Sequence, residues 1–346
     1  MENWLASMPK IELHAHLNGS IRNSTLLELA RDLGKKGAII FSDVESAILK
    51  NDRSLSEVFK LFDLIRRVTT THKTISRITK EVIEDFAADN VVYLELRTTP
   101  KKNDSANMTK KSYLEAVLQG MNSVTSVELN TTSNDPKRSK MYVRLLLSID
   151  RRETTEDAIE TVALAMEMRS SGVVGIDLSG NPKVGNWETF LPALNLAKQN
   201  NLPVSLHCGE VPNHDEIQAM VRFHPDRIGH ACFFNEEEWK QLMSLKIPVE
   251  ICLTSNIRTE SISSLEVHHF IDLYMARHPL ILCTDDCGVF STSQSNEYLL
   301  ASSAFGLEKN ALFQLARNGI ELVFGEDEVK KILGGIFDEF ASKLGF

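Results

Sequence analysis

Apolar and β-branched residues along this chain gather in eight short runs, at residues 11–17, 91–97, 141–149, 173–178, 203–207, 227–233, 248–253 and 280–283, with helix-like stretches between them. Short apolar runs alternating with helical segments predict parallel βαβ units, and eight of them closing on themselves give a (β/α)8 TIM barrel. Residues 154–171 show the helical half of the unit: the stretch opens on Thr154 and acidic residues and stops before Gly172, as capped helices do. One barrel over residues 1–346 is therefore expected. Residues 20–90, between the first two runs, are too many for a plain crossover. They hold Ser54-Leu55-Ser56-Glu57, a capping box, ahead of Leu55, Val58, Phe59, Phe62 and Ile65 at helical spacing. The pattern predicts a helical insertion, placed either as a lid over the barrel mouth or as an ordinary helix on its outside. Polar residues 130–140 read as a solvated loop at the opposite face.

In such a barrel, reactive groups collect at the C-terminal ends of the strands. Here the unusual polar residues do end their runs. His14 and His16 stand one residue apart, so a period of two aims both imidazoles at one face. The fifth run ends in His207-Cys208-Gly209-Glu210, the sixth supplies His230, and the eighth leads into Asp285 and Asp286. Imidazoles joined by a carboxylate suit Zn2+ and its transition-metal neighbours, with His207 and Asp285 the candidates to complete the pair. A lone histidine in an apolar strand is more often a packed core residue; convergence on one rim shifts the balance here. His72, His214, His224, His268, His269 and His278 fall in helices or loops, where surface or packing roles are expected. The Cys208 side chain should point away from His207 into the core. No G-x-G-x-x-G or Walker loop occurs, which removes the dinucleotide and P-loop readings. Nor is there the H-x-E and P-C-x-x-C pair of Cys-ligated deaminases. The fourth run ends in Asp177-Leu178-Ser179-Gly180, without the lysine that bridges two metals, so one Zn2+ per chain is the simpler count.

The chain has 346 residues, 42% hydrophobic and 25% charged, enough for a large buried core without staples. A net charge of −9 argues against coating nucleic acid. Five cysteines, an odd set without C-x-x-C, read as reduced core thiols. No stretch approaches the ~18 apolar residues of a membrane span, and no apolar leader opens the chain, so the cytosol is the default address and no membrane is expected as a partner. A monomer is the default state.

At these residues the chain closely resembles the adenosine/AMP deaminase family over nearly its whole length. The matching blocks are Pro9-Lys10-Ile11-Glu12-Leu13-His14-Ala15-His16-Leu17, Tyr93-Leu94-Glu95-Leu96-Arg97, Gly175-Ile176-Asp177-Leu178-Ser179-Gly180, His207-Cys208-Gly209-Glu210, Arg227-Ile228-Gly229-His230, Leu253-Thr254-Ser255-Asn256 and Thr284-Asp285-Asp286. His16-Leu17-Asn18-Gly19-Ser20, Arg97-Thr98-Thr99-Pro100-Lys101 and Asp286-Cys287-Gly288-Val289-Phe290 resemble the adenosine-deaminase-like branch described as N6-methyl-AMP deaminases. The resemblance implies zinc on His14, His16, His207 and Asp285, with Glu210 as proton donor to purine N1. It also implies His230 as the group orienting and helping to deprotonate water, and Asp286 with the Gly180 backbone N–H as holders of N7 and N3. His16 borders the substrate as well.

Asn18 departs from the aspartate usual in adenosine deaminases. A carboxylate ~5 Å from a phosphate at an effective dielectric of ~20 would repel it by roughly 3 kcal/mol, a penalty the neutral amide removes. Thr98, Thr99, Pro100 and Lys101 could then receive the phosphate, and Asp150, beside Arg151 and Arg152, the ribose. The implied reaction is hydrolysis of N6-methyl-AMP to IMP and methylamine. Its rivals are deamination of free adenosine, a silent purine-binding barrel, and an amidohydrolase of cyclic amides with two metals.

Overall fold

A computed structural model describes residues 1–132 and 140–344. Eight parallel strands, β1 (Lys10–His16), β2 (Val91–Thr98), β3 (Met141–Asp150), β4 (Val173–Ser179), β5 (Val204–Cys208), β6 (Arg227–His230), β7 (Val249–Ile251) and β8 (Leu280–Leu282), pair in chain order. This is the expected (β/α)8 arrangement. A two-residue strand, Leu129–Asn130, flanks β3 at Met141 and Tyr142, which corrects the loop expected from residue 130 onward. Residues 133–139 of that loop lie outside the described residues. Thr154 caps helix Thr155–Glu167 by accepting the Asp157 N–H, and Gly172 closes the segment at φ 95°, as expected.

Alternation along the strands sorts residues between two buried faces. Leu94 and Leu96, Ile176 and Leu178, Val204 and Leu206, and Val249 and Ile251 are buried apolar residues. Glu95, Arg97, Asp177, Ser205, His207, Arg227 and Glu250 occupy the intervening positions, and they bond to one another across the barrel.

The seam between β1 and β8 has a single bridge, Ala15 to Asp285, instead of a ladder. Main-chain bonds Asp285 N–H to His14 O at 2.7 Å and His16 N–H to Asp285 O at 2.9 Å hold its upper end. Below them, the buried Glu12 carboxyl accepts the His14 N–H at 2.7 Å and the Thr284 N–H and hydroxyl at 2.9 Å. Gln294 Nε2 donates to Ile11 O and Leu282 O, so side chains do the stitching a sheet ladder usually does.

Four strands stop sooner than the apolar runs suggest, β1 and β8 by a single residue, and local backbone explains the other two. β6 ends at His230 because His230 and Ala231 turn into left-handed conformations, φ 67° and 56°. β7 ends at Ile251 because Leu253 already opens helix Leu253–Arg258. β8 ends at Leu282, with left-handed Asp285 (φ 63°) three residues on.

The insertion forms helices Asn23–Lys35, Ser42–Leu49, Leu55–Val68 and His72–Ala88. Its capping box is present, with the Ser54 N–H donating to Glu57 Oε2 at 2.7 Å. Buried Arg53 anchors it to the loop that follows Asp286. Its guanidinium donates to Ala47 O, Ile48 O and Asn23 Oδ1 within the insertion, and to Gly288 O, Val289 O and Ser291 Oγ beyond β8. The first three helices thus gather near the strands' C-terminal ends, while His72–Ala88 packs on the flank beside helix Lys110–Asn122 and β2. The segment is the helical insertion expected, and its last helix takes the place of an ordinary helix on the barrel's outside. Among the described residues no helix is long and apolar enough to cross a membrane.

Replacing Arg53 by Ala orphans several buried carbonyls and should cost about 2–4 kcal/mol. Hydrogen exchange should quicken across residues 42–68 while the barrel strands keep their protection; equal loss in both would refute a local clamp.

Candidate active site

Four donor atoms converge at the C-terminal mouth. His14 Nε2 and His16 Nε2 lie 3.1 and 3.0 Å from His207 Nε2, and 3.5 and 3.4 Å from Asp285 Oδ1. Neighbouring donors on one ion with ~2.0–2.1 Å bonds stand ~3.3 Å apart or less, the size of these four separations; His14, His207 and Asp285 also group with His230, and His16 with His207 and Asp177. A bulge in β1 between Glu12 and Ala15 sits at this point, where bulges commonly re-aim side chains. Gly229 leaves the room, since a Cβ there would come within 2.6 Å of the His14 ring.

The carboxylates behind the rings decide what the rings offer. His14 Nδ1 lies 2.7 Å from Glu250 Oε2, and His207 Nδ1 lies 3.0 Å from Asp177 Oδ1. Burial opposes ionisation of both carboxyls, but His207 and Arg97 hold Asp177 well below the usual range, and Arg97 and Arg227 do the same for Glu250. Ionised carboxylates only accept, so each Nδ1 carries a proton and each Nε2 is the atom left to face its neighbours. Two Nε2 lone pairs facing at 3.1 Å would repel, so a proton or a metal ion belongs between them. Burial and Arg97 push the His14 pKa down, yet Asp285 and Glu250 overcome them and raise it to about 9, while burial and His207 drive His16 to about 3. His14 therefore favours a second proton, on Nε2, which a bound metal would displace, and three imidazoles with a carboxylate are a donor set that fits zinc. Ser255 donates to Asp285 Oδ2 at 2.6 Å and fixes the carboxylate from behind.

Beside the cluster, burial raises the Glu210 pKa, so the carboxyl tends to keep a proton. Its Oε1 lies 3.9 Å from His230 Nε2. The His230 ring packs against His14 and His207, at centroid distances of 4.8 and 5.1 Å. Burial, with Asp285 alongside, also raises the Asp286 carboxyl well above its ordinary value. Asp286 occupies the space a Gly19 side chain would take, for a Cβ there would lie 1.5 Å from its Oδ1. Gly180, at φ 107°, comes close to Asp150, whose Oδ1 accepts the Arg152 N–H and Nε–H at 2.9 Å.

Further out, the Thr98 and Tyr113 hydroxyls are 2.9 Å apart beside Asn18, whose Oδ1 is buried without a partner. Thr99 is half-buried and Pro100 buried on the same strand end. Lys101 reaches the Thr69 hydroxyl at 2.9 Å, and burial together with Arg66 and Arg152 lowers its pKa to about 8. Lys102, in contrast, is an exposed charge paired with Asp157 and Glu160.

Residues 9–339 match the adenosine deaminase family profile. The chain is 67% identical over 346 residues to N6-mAMP deaminase of Arabidopsis thaliana, covering 97% of this chain and 98% of that protein. The chain belongs to the adenosine deaminase family. This deaminase is also 40% identical over 336 residues to the N6-Methyl-AMP deaminase of Bos taurus, covering 94% and 92%. A solved Arabidopsis structure complexed with IMP is similar at TM-score 0.94 and 67% identity, covering 99% of each chain.

Several groups of the deaminase that shape the centre escaped the sequence reading as functional residues: Glu12, Arg97, Asp177, Glu250, Ser255, Asn256 and His268. Most are charged or polar residues at alternate positions of otherwise apolar strands, a signal of an inward polar face. His268, His269 and His278, expected in surface or packing roles, are all buried, while His214 is about half exposed. Cys208, Cys252 and Cys283 are buried free thiols; Cys232 and Cys287 are partly exposed.

Replacing Glu250 by Gln removes the charge that fixes His14 and should weaken zinc affinity about 10–100-fold, read by competition with a chelator. Unchanged affinity would remove Glu250 from the centre.

Proposed function

We propose that this deaminase hydrolyses N6-methyl-AMP to IMP and methylamine, with one zinc ion on His14, His16, His207 and Asp285. The observation that carries the reading is the convergence of those four donors, 3.0–3.5 Å from their neighbours, beside a Glu210 carboxyl whose pKa burial raises. Bound zinc supplies a Lewis acid that brings the pKa of water toward ~7, so a nucleophile is available at neutral pH. Glu210 gives its proton to purine N1, which makes C6 electrophilic. His230 holds the attacking water. Asp286, itself kept protonated, donates to N7, and the Gly180 N–H donates to N3. As the C6–O bond forms, the C6–N1 π pair moves to N1; one water proton returns to the Glu210 carboxylate and the other passes to N6, so that collapse of the adduct to the 6-oxo purine breaks the C6–N6 bond and releases neutral methylamine.

The nucleotide preference rests on charge at the mouth. Asn18 is neutral where a carboxylate would repel a phosphate, and its amide offers a donor or an acceptor by a half turn. Lys101 sits among like charges from Arg66 and Arg152, an arrangement that a phosphate dianion relieves. Thr98, Thr99 and Pro100 line the same strand end, Asp150 faces the ribose, His16 borders the substrate, and the helical insertion covers it. The names of the Arabidopsis and bovine relatives, and the IMP held in the Arabidopsis structure, support the same substrate.

In a panel of adenosine, AMP, N6-methyl-adenosine and N6-methyl-AMP, the last should turn over fastest; faster turnover of a free nucleoside would overturn the preference. Glu210→Gln should retain its zinc and lose about 10²–10⁴-fold in kcat. Asn18→Asp should raise KM for the nucleotide about 100-fold and leave the nucleoside little changed, as a repulsion of ~3 kcal/mol requires.

A further inference from the structure

His230 is held from behind by a chain of hydrogen bonds whose polarity follows from one main-chain group. The Phe270 N–H lies 3.1 Å from His268 Nδ1, and an amide N–H can only donate. His268 Nδ1 is therefore bare. Burial and neighbouring His269 hold the His268 pKa at about 2, so the ring is neutral and its proton is on Nε2. That Nε2 lies 3.1 Å from Asn256 Oδ1, which sets the amide the other way round: Asn256 Nδ2 donates, at 3.1 Å, to His230 Nδ1. His230 thus has a bare Nδ1 and a protonated Nε2.

Three further observations agree. His230 Nε2 is buried and makes no hydrogen bond within the protein, and Glu210 Oε1 lies 3.9 Å away in the site. His269 Nε2 donates to the His230 carbonyl at 2.8 Å and so anchors the left-handed backbone that turns the ring inward. Asn256 itself is fixed, because helix Leu253–Arg258 begins with its N–H on Cys252 O at 2.9 Å, and both Asn256 and His268 are almost fully buried.

We infer that Asn256 and His268 are positioning residues that lock His230 as its Nε2–H tautomer, so that His230 meets the reacting oxygen as a hydrogen-bond donor. For His230 Nε2 to accept a proton from water, the Nδ1–H tautomer would be needed. Asn256 would then have to turn over and set its NH2 against the His268 Nε2–H. The ring orients the water by donating to its oxygen and stabilises negative charge gathering there; it is not the resting acceptor of the water's proton. A bare Nε2 is also what a fourth imidazole ligand would need, so the relay keeps His230 out of the donor set while its ring packs against two of that set. The inference deepens the deaminase reading and depends on it for the reacting oxygen, although the tautomer itself does not.

The test is 15N NMR of the zinc-loaded protein with labelled histidine imidazoles, His230 being assigned by its loss in His230→Gln. The wild type should show His230 Nε2 protonated and Nδ1 bare; the opposite pattern overturns the proposal without need of any variant at Asn256. Asn256→Asp keeps the shape but offers acceptors to both rings, so a proton should appear on His230 Nδ1. Turnover of N6-methyl-AMP should then fall in kcat on the order of 10²-fold or more with KM little changed. His268→Phe, which frees the amide to turn, should give a mixture of tautomers and an intermediate kcat. An Asn256→Asp protein that retains the wild-type tautomer and kcat also overturns the proposal. A wild type with the expected tautomer but no activity on any of the four purines would overturn the deaminase reading and leave the tautomer assignment standing.

Discussion

The guanidinium of Arg97 is the constraint on which the centre depends. From β2 it reaches Asp177 on β4, the Leu13 carbonyl on β1, Ser205 on β5 and Glu250 on β7, with no exposure to solvent. A barrel of this size is commonly filled with branched aliphatic side chains. Here its upper layers are filled with ions. Buried ion pairs contribute little net stability, because desolvation offsets their attraction, but each strongly penalises loss of its partner. Their value lies in what they impose on their neighbours. Arg97 and Arg227 keep Glu250 ionised, and Arg97 and His207 do so for Asp177. The ionised carboxylates hold imidazole protons on Nδ1, and the Nε2 atoms are left facing one point. Lined up there are Glu95, Asp177, Glu250 and Asp285 against Arg97 and Arg227, an imbalance that a dication among neutral imidazoles removes.

Much of this was legible in the amino-acid order, for identifiable reasons. The barrel followed from eight apolar runs in register with helical stretches, because each strand of a parallel sheet is buried on both faces. The donors His14, His16, His207 and Asp285, and the nearby Glu210 and His230, were found because they end their runs. What could not be read was the layer beneath. Asp177 and Glu250 lie 73 positions apart in the numbering and meet the same Arg97 only once the barrel closes. His268 and Asn256 sit in segments with no strand period to place them, so their link to His230 is a product of tertiary packing. The ends of β6 and β7 were set too late, since hydropathy does not register left-handed backbone or a helix beginning on an apolar residue.

The mouth shows how little room separates structure from chemistry. Gly19 has no side chain because the Asp286 carboxyl occupies that volume, and Gly229 has none because the His14 ring does. The insertion, clamped through Arg53 to the loop after Asp286, is joined to the same groups by main-chain carbonyls, and Lys101 ties β2 to its far end at Thr69. The residues that follow β1, β2 and β8 at the mouth are thereby joined by one continuous set of contacts.

The seam between β1 and β8 gives that arrangement a dynamic corollary. Three of the four donors, His14, His16 and Asp285, belong to the two edges that meet there, and only one bridge with a few side-chain stitches joins them. An ion held by these residues would fasten the two edges to each other like a rivet, so that seating the cofactor and closing the cylinder would reinforce one another.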